Sequence, residues 1–335
     1  MGVRMLGVMR AFTITKTDTD PILQVEDLNP ALLEGDVLVN VAAAGVNFKD
    51  SMVTQAGNRV ARISPLVGGV DLAGEVVESP EGGPAVGSLV IAHGYGIGVA
   101  HHGGFAEMAR IPHSWVVPLP EGLTPKAAMA YGTAGFTAMA SILALEASGL
   151  VAGAGPVLVT GAVGGVGSTA VALLAARGYE VVASTGRAGE RQFLENLGAH
   201  SVIGRDEIDD NVGRPLASER WAGAVDCVGG ATLSAIIRSL RYGATVAASG
   251  LTGGTEFHST VFPFIVRGVR LVGIDSVEMP ISERTAVWEA LAASPFTSRV
   301  HEIIDREVGL DGVAGALADI AGGKVRGRIL VTPSS

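Results

Sequence analysis

Between Val157 and Ser168 an apolar strand pattern, Val157-Leu158-Val159-Thr160, runs straight into Gly161-Ala162-Val163-Gly164-Gly165-Val166-Gly167. Within it, Ala162-x-Gly164-x-x-Gly167 is a variant of the dinucleotide fingerprint with alanine in place of the first glycine. Small residues at this spacing permit a tight turn and bring backbone N–H groups close to a pyrophosphate. The positive end of the following helix then faces the phosphate charge. A glycine-rich turn alone is weak evidence. Here it follows a strand, opens an apolar helix and begins an alternating series, which is the context a dinucleotide site requires.

The end of the second strand decides which dinucleotide. An NAD site places an acidic residue there for the ribose 2′-hydroxyl. This chain instead has Val182-Ala183-Ser184-Thr185-Gly186-Arg187, with hydroxyls, a glycine and a guanidinium suited to a 2′-phosphate. Arg205, in Gly204-Arg205-Asp206, is a second candidate for the same phosphate; its alternative is a surface ion pair with Asp206 or Glu207. NADPH is therefore the expected cofactor.

These residues need a frame. From Pro156 onward strands and helices alternate: Val157–Thr160, a helix to Arg177, Glu180–Ser184, helix Glu190–Leu197, Ser201–Ile203, Ala224–Val228, helix Thr232–Leu240, Ala244–Ser249 and Arg270–Asp275. Val- and Ala-rich strands each followed by a helix specify a doubly wound α/β domain with a parallel sheet. Before it, short runs at Ala11–Thr15, Asp36–Ala43, Ala73–Glu78, Ser88–Ala92 and Phe105–Ile111, punctuated by turns such as Pro80-Glu81-Gly82-Gly83-Pro84, predict a β-rich unit. Thr124 and Pro125 read as the N-cap and first residue of a helix. We therefore divide the chain into 1–125 with 277–335, and 126–276. A helix over Ser282–Ala293 and a strand at Gly327–Val331 returning to the first domain complete the reading.

Composition narrows the classes. At 335 residues, 48% hydrophobic and 17% charged, the chain is too apolar to be disordered and fits roughly two domains. A net charge of −9 argues against a nucleic-acid partner. Its single cysteine, Cys227, excludes an internal disulfide and a several-thiolate zinc site, fitting a reducing cytoplasm; we expect Cys227 to be a small core residue. Met1–Arg10 lacks an apolar core of signal-peptide length. With a mean hydropathy of +0.40, the charge-free stretch Ala147–Ala176 has the length of a membrane span. Its glycines and Pro156 prevent one continuous lipid-facing helix, so no membrane partner is expected.

A wider resemblance rests on further motifs. Gly45-Val46-Asn47-Phe48-Lys49-Asp50, Gly69-Val70-Asp71-Leu72-Ala73-Gly74, Gly103-Gly104-Phe105-Ala106-Glu107 and Gly132-Thr133-Ala134-Gly135-Phe136-Thr137-Ala138 resemble the quinone-oxidoreductase branch of the medium-chain dehydrogenase/reductase superfamily. More narrowly, Thr185-Gly186-Arg187, Trp221-Ala222-Gly223-Ala224, Ser249–Gly254 and Gly273–Val277 resemble the YhdH-type NADPH-dependent acrylyl-CoA reductases. This resemblance implies a GroES-like catalytic domain beside a Rossmann domain. It implies that Phe48 lines the nicotinamide pocket, and Val163, Gly164, Gly165 and Val166 the pyrophosphate turn. Thr185, Gly186, Arg187 and Arg205 take the adenosine phosphate end. Leu251, Ile265, Ser276 and Gly323 approach the cofactor from later loops.

The same resemblance shows a departure. Zinc-containing members carry Cys at the position of Asn47 and His-Glu at Val70-Asp71; with Asn and Val there, metal-free chemistry is expected. Reduction of an activated C=C bond suits such a site: hydride to the β-carbon of acryloyl-CoA, charge on the thioester oxygen, a proton to the α-carbon. Asn47 is the candidate donor orienting the substrate, and Tyr95 and His101 are candidate proton donors beside solvent. Lys49 and Asp50 are expected to pair and fix their loop. The CoA phosphates call for local basic groups, for which Arg59 and Arg62 are the candidates, with Lys324, Arg326 and Arg328 behind them; the alternative for each is a solvated basic face. The other readings are a quinone or enone reductase and a non-catalytic NADPH-binding protein. A homodimer through the strand Arg270–Asp275 is expected from the family.

Overall fold

The computed structural model describes residues 7–208 and 214–335; part of the N-terminal reading, Met1 to Leu6, lies outside them. In chain order the first elements are Met9–Thr15 (β1), Ile22–Leu28 (β2), Val37–Val46 (β3), Phe48–Met52 (α1), Leu66–Val67 (β4), Asp71–Glu78 (β5), Leu89–His93 (β6), Met108–Ile111 (β7), Val116–Pro118 (β8) and Pro125–Ala147 (α2). The alternating series follows: Val157–Val159 (β9), Gly165–Ala176 (α3), Val181–Ser184 (β10), Arg191–Asn196 (α4), Ser201–Ile203 (β11), Trp221–Asp226 (β12), Gly230–Ser239 (α5), Leu240–Ala248 (β13), Phe262–Arg267 (α6) and Arg270–Gly273 (β14). Ile281–Ala292 (α7), Ile304–Val308 (β15), Val313–Ala321 (α8) and Arg328–Val331 (β16) end the chain.

Two compact units result. Unit 1 holds the residues up to Thr133, Ser276–Ala293 and Ile303–Ser335; unit 2 holds Ala134–Asp275 and Ser294–Glu302. The division differs from the expected one at three places, the smallest being Ser276, which belongs to unit 1 and not to the second domain. The first boundary falls at 133/134 rather than 125/126, because the opening turns of α2 stay with unit 1: the Ala130 carbonyl accepts from Arg328 and the Thr133 N–H donates to Asp71. The helix is broken just there, at Gly132 (φ 53°, ψ −157°). Residues 294–302, assigned above to the first domain, belong to unit 2, where Phe296 and Val300 are buried and Arg299 donates to the Asn196 carbonyl at 3.2 Å.

Unit 1 is built on a sheet ordered β15-β16-β3-β5-β6-β8, with β7 also on β3, and a small sheet β2-β1-β4. The expected return strand is present: β16 pairs antiparallel with the end of β3, Ile329 opposite Val46. Phe12, Ile14, Val46, Phe105, Val313 and Ile329 share one core cluster. The expected N-cap also holds, as the Thr124 hydroxyl accepts from the Ala127 N–H at 3.1 Å.

Unit 2 carries an all-parallel sheet ordered β11-β10-β9-β12-β13-β14. Order reverses at β9, the switch point at which doubly wound sheets bind nucleotides. The charge-free stretch tested as a span divides into β9 and α3. Among the described residues one helix, α2, is long and apolar enough to cross a membrane, and 83% of its apolar window is buried inside the protein, as in a core helix.

Candidate functional site

In unit 2, β9 delivers the chain to Gly161, whose φ of 59° is a left-handed conformation open to glycine. The turn closes with a Gly164 N–H to Gly161 carbonyl bond of 2.9 Å, and α3 starts at Gly165. Gly164 caps that helix without any side-chain bond, so the N–H groups of the first turn are left for an external anion. A Cβ on Gly167 would come within 2.7 Å of the Ala162 Cα and closer still to the Gly161 carbonyl oxygen. Gly161 and Gly167 are thus required by the turn itself, and the cradle fits a pyrophosphate. Gly167→Ala is expected to abolish measurable NADPH binding by titration calorimetry while leaving a folded chain, because the clash distorts the turn locally.

The turn is braced by a residue that sequence reasoning missed. The Thr160 hydroxyl donates to Asp226 Oδ1 at 2.6 Å and accepts from the Cys227 N–H at 3.0 Å, while the Gly229 N–H reaches Asp226 Oδ2 at 2.8 Å. Asp226 ties β9 to the loop after β12. Burial raises its pKa above the ordinary carboxylate range, and the bonds from Thr160, Gly229 and Val228 pull it back. Its signal in the sequence is an acid closing an apolar strand immediately before Cys227-Val228-Gly229-Gly230. Cys227 is half-buried beside it, and burial raises the pKa of its thiol.

At the adenosine end, the structure brings Thr185, Gly186 and Arg205 together. The Arg187 N–H donates to the Thr185 hydroxyl at 3.0 Å, and a Cβ on Gly186 would lie 2.7 Å from Arg205 Cζ. The Arg205 guanidinium therefore lies over the glycine. It makes no ion pair with Asp206 or Glu207; Glu207 accepts from the Gly204 N–H instead. Leu251 and Ile265, also in unit 2, are exposed.

Unit 1 presents a buried polar cluster in place of the expected isolated donor. Asp71, with no exposed surface, accepts from the N–H groups of Gly45 (2.7 Å) and Thr133 (2.8 Å) and from Asn47 Nδ2 (2.8 Å). Arg328 donates from Nη1 to Val46 O at 3.0 Å and to Asn47 Oδ1 at 3.1 Å, and its Nη2 stands 3.9 Å from Asp71. Glycines make the room: a Cβ on Gly45 or on Gly132 would strike the Arg328 guanidinium and Asp71. Three expectations are corrected here. Arg328 is fully buried and no CoA-phosphate contact. Asn47 spends both amide hydrogens inside the cluster, on Gly45 O and Asp71, so it positions its neighbours rather than donating outward. Asp50 does not pair with the half-buried Lys49; its carboxylate accepts from the Asn47 and Val70 N–H groups at 2.7 and 2.9 Å.

Burial, reinforced by the charge of Asp71, pushes Asp50 up to about 7 against its backbone bonds. As pH falls below about 7 Asp50 therefore takes up a proton inside the cluster. The sign of the linkage follows: between the unfolded carboxylate range near 4 and pH 7 the folded state holds a proton the unfolded chain releases, so this group's stabilisation falls as pH rises across that window. Melting temperatures of wild type and Asp50→Asn compared from pH 4 to 8 are expected to show this falling component in wild type alone; identical slopes would refute it.

The other proton-donor candidates occupy a second cluster of unit 1. Tyr95 (φ 47°) stacks on Trp115, and Arg284, buried, lies 4.6 Å over its ring. Its hydroxyl is directed to the Met279 carbonyl at 3.2 Å. His101 Nδ1 donates to the His102 carbonyl at 2.8 Å, and its Nε2 is buried with no partner. The Tyr95 hydroxyl proton and the Nδ1 proton of His101 are thus both committed to backbone carbonyls. Below them His93 accepts from Trp288 Nε1 at 2.9 Å and is kept neutral by burial and by Arg284. Phe48, half-exposed at the start of α1, Ser276 and Gly323 (φ 65°) also belong to unit 1. Arg59 and Arg62 stand exposed on the loop after α1, without a side-chain partner among the described residues. No group of three His, Cys, Asp or Glu gathers at metal-binding distance among those residues.

A glycine-turn nucleotide cradle on a parallel sheet, joined in one chain to a β-rich unit with a buried polar cluster, defines a two-domain dehydrogenase/reductase. Residues 33–121 match the alcohol dehydrogenase GroES-like domain family and residues 165–293 the zinc-binding dehydrogenase family. The chain is 48% identical, over 89% of its length and 90% of the relative's, to the acrylyl-CoA reductase AcuI of Ruegeria pomeroyi. It superposes on the Salmonella enterica yhdH oxidoreductase in complex with NADP (TM-score 0.93, 40% identity, 97% and 99% of the two chains). It also superposes on Bacillus subtilis yhfP with NAD bound (TM-score 0.95, 45% identity, 97% and 99%). The chain belongs to the medium-chain dehydrogenase/reductase superfamily, in the branch of the YhdH and AcuI proteins.

Proposed function

We propose that this chain is an NADPH-dependent oxidoreductase that reduces the C=C bond of acryloyl-CoA to give propanoyl-CoA. The observation that carries the cofactor is the Arg205 guanidinium over Gly186, with no acid between Val181 and Gly189 to take a ribose 2′-hydroxyl. The likeness to AcuI supports the substrate. When bound, NADPH supplies the hydride for the β-carbon of the enoyl thioester. The chain's own part is to hold and orient. The open N–H groups of α3 and the Gly161–Gly164 turn hold the pyrophosphate, Thr185 and Arg205 the adenosine phosphate. The Asn47–Asp71–Arg328 cluster fixes the end of β3 and the start of α1, and so the base of Phe48. Charge that builds on the thioester oxygen is quenched by a proton at the α-carbon. With Tyr95 and His101 engaged as described, solvent is the proton source this geometry favours.

The assay is oxidation of NADPH with acryloyl-CoA, crotonoyl-CoA and a simple quinone in parallel, chelator present, NADH as control. Preference for acryloyl-CoA with NADPH supports the reading. Preference for quinone overturns the substrate and keeps the cofactor; no turnover of any acceptor favours a non-catalytic NADPH-binding protein. Arg59 and Arg62 supply the phosphate-binding charge for CoA. Arg62→Ala is expected to raise KM for acryloyl-CoA up to about fivefold at low salt with kcat unchanged, the worth of an exposed ionic contact; unchanged kinetics would return this loop to a solvated face. The outer edge of β14 is the proposed homodimer contact, and a monomer by light scattering would refute it.

A further inference from the structure

At the end of the unit 2 sheet opposite the fingerprint, the first residues of β12 and β13 and the segment after α2 surround a cavity of about 160 Å³. Nucleotides in doubly wound sheets bind at the carboxyl ends of the strands. This cavity lies at the amino ends, lined by Ala222 and Arg241 to Thr245. We propose that it is a second ligand site, for a small monocarboxylate with a compact hydrocarbon body.

Three observations support this. The walls include Leu145, Leu150 and Ala222, and the volume is close to the engineered apolar cavity of about 150 Å³ that accepts benzene. That sets the body at about six carbons. Thr245, a lining residue only 3% exposed, has an Oγ1 with no hydrogen-bond partner, so an unsatisfied buried polar group stands in the cavity wall. Arg241, also in the lining, donates from Nη1 to the Ala154 carbonyl at 2.6 Å, while its Nε and Nη2 have no partner among the described residues. A guanidinium fork matches a carboxylate in two-bond geometry.

Charge agrees. No carboxylate lines the cavity. Arg270 adds a second cation beside it, donating to the carbonyls of Ser148 and Gly243, both lining residues. A neighbouring carboxylate, Glu219, accepts from the N–H of the lining residue Tyr242 at 2.9 Å and is balanced by Arg267 at 3.5 Å. An inorganic anion would satisfy the guanidinium and leave the apolar walls unfilled, which selects a carboxylate that carries hydrocarbon.

The test is calorimetric titration of the full chain with benzoate, propanoate and inorganic phosphate, using wild type, Arg241→Gln and Thr245→Val. Benzoate is expected to saturate wild type. Its affinity should fall about tenfold or more in Arg241→Gln, the worth of a charged hydrogen bond, and severalfold in the nearly isosteric Thr245→Val, with the melting temperature of Thr245→Val preserved. Acryloyl-CoA turnover should be unchanged in both variants. The proposal is overturned if neither carboxylate saturates wild type below roughly 50 mM, an affinity weaker than about 2 kcal/mol. It is equally overturned if phosphate binds more tightly than benzoate, or if both variants bind benzoate like wild type. None of these outcomes bears on the substrate of the reductase site.

Discussion

Replacing Arg328 with methionine is expected to lower the melting temperature by roughly 6–20 °C and to remove most reductase activity. The side chain is 2% exposed and donates to Ala130 O, Val46 O and Asn47 Oδ1, beside an Asp71 that has no exposed surface at all. Deleting one partner leaves a buried charge uncompensated. Such losses run about 3–5 kcal/mol, and each kcal/mol is worth about 2–4 °C in a unit of this size. The pair is not thereby a net stabiliser: burial lowers the Arg328 pKa even as Asp71 and Asp50 raise it, which is the signature of a charge brought inside at a cost. A second variant separates these effects. Arg328→Met with Asp71→Asn removes both charges, and should recover a large part of the melting temperature while leaving activity low, because the bonds that fix Asn47 stay broken. A single Arg328→Met that melts within about 2 °C of wild type would show that the cluster carries no such energy. Arg328→Lys keeps the charge but not the fork, and should fall between.

This cluster also shows where reading the chain stops. The fingerprint, the parallel series and the return strand were legible because each is local: a strand, a turn and a helix within a dozen residues carry their own pattern. Arg328 was not. It follows Lys324 and Arg326 in an apparently solvated basic run, and its burial depends on Asn47, Asp71 and Ala130, up to 281 residues away. Asn47 was found as a position and misjudged in role, since only the fold shows that both its amide hydrogens are taken. The same holds for Arg284, whose partner His93 is 191 residues distant. β2 escaped because its alternation is short: Leu23 and Val25, which pack on the core, alternate with Gln24 and Glu26 before Asp27 breaks the pattern. The boundary at 125/126 was placed at a real N-cap, but the break that separates the units is Gly132, inside a helix whose pattern gives no sign of it.

An effect on function alone is expected from Arg205. Arg205→Gln should raise the dissociation constant for NADPH by about 10- to 30-fold, with NADH affected by less than about threefold. The argument is one of differences. Both dinucleotides use the Gly161–Gly164 turn and the open N–H groups of α3, so that part of the binding cancels. They differ by one phosphate, and the exposed guanidinium lying over Gly186 is the group positioned to meet it. A hydrogen bond to a charged group is worth about 1.5–3 kcal/mol; exposure and screening place the effect in the lower part of that range. Salt sharpens the test. Raising ionic strength should weaken NADPH binding by wild type more than by Arg205→Gln, since only wild type has the ionic contact to lose. Gly186→Ala should act in the same direction, because a Cβ there would meet the guanidinium at 2.7 Å and push it away. The yhfP relative, seen with NAD, makes the comparison pointed: if Arg205→Gln weakens NADPH and NADH equally, the guanidinium braces the loop without reading the phosphate.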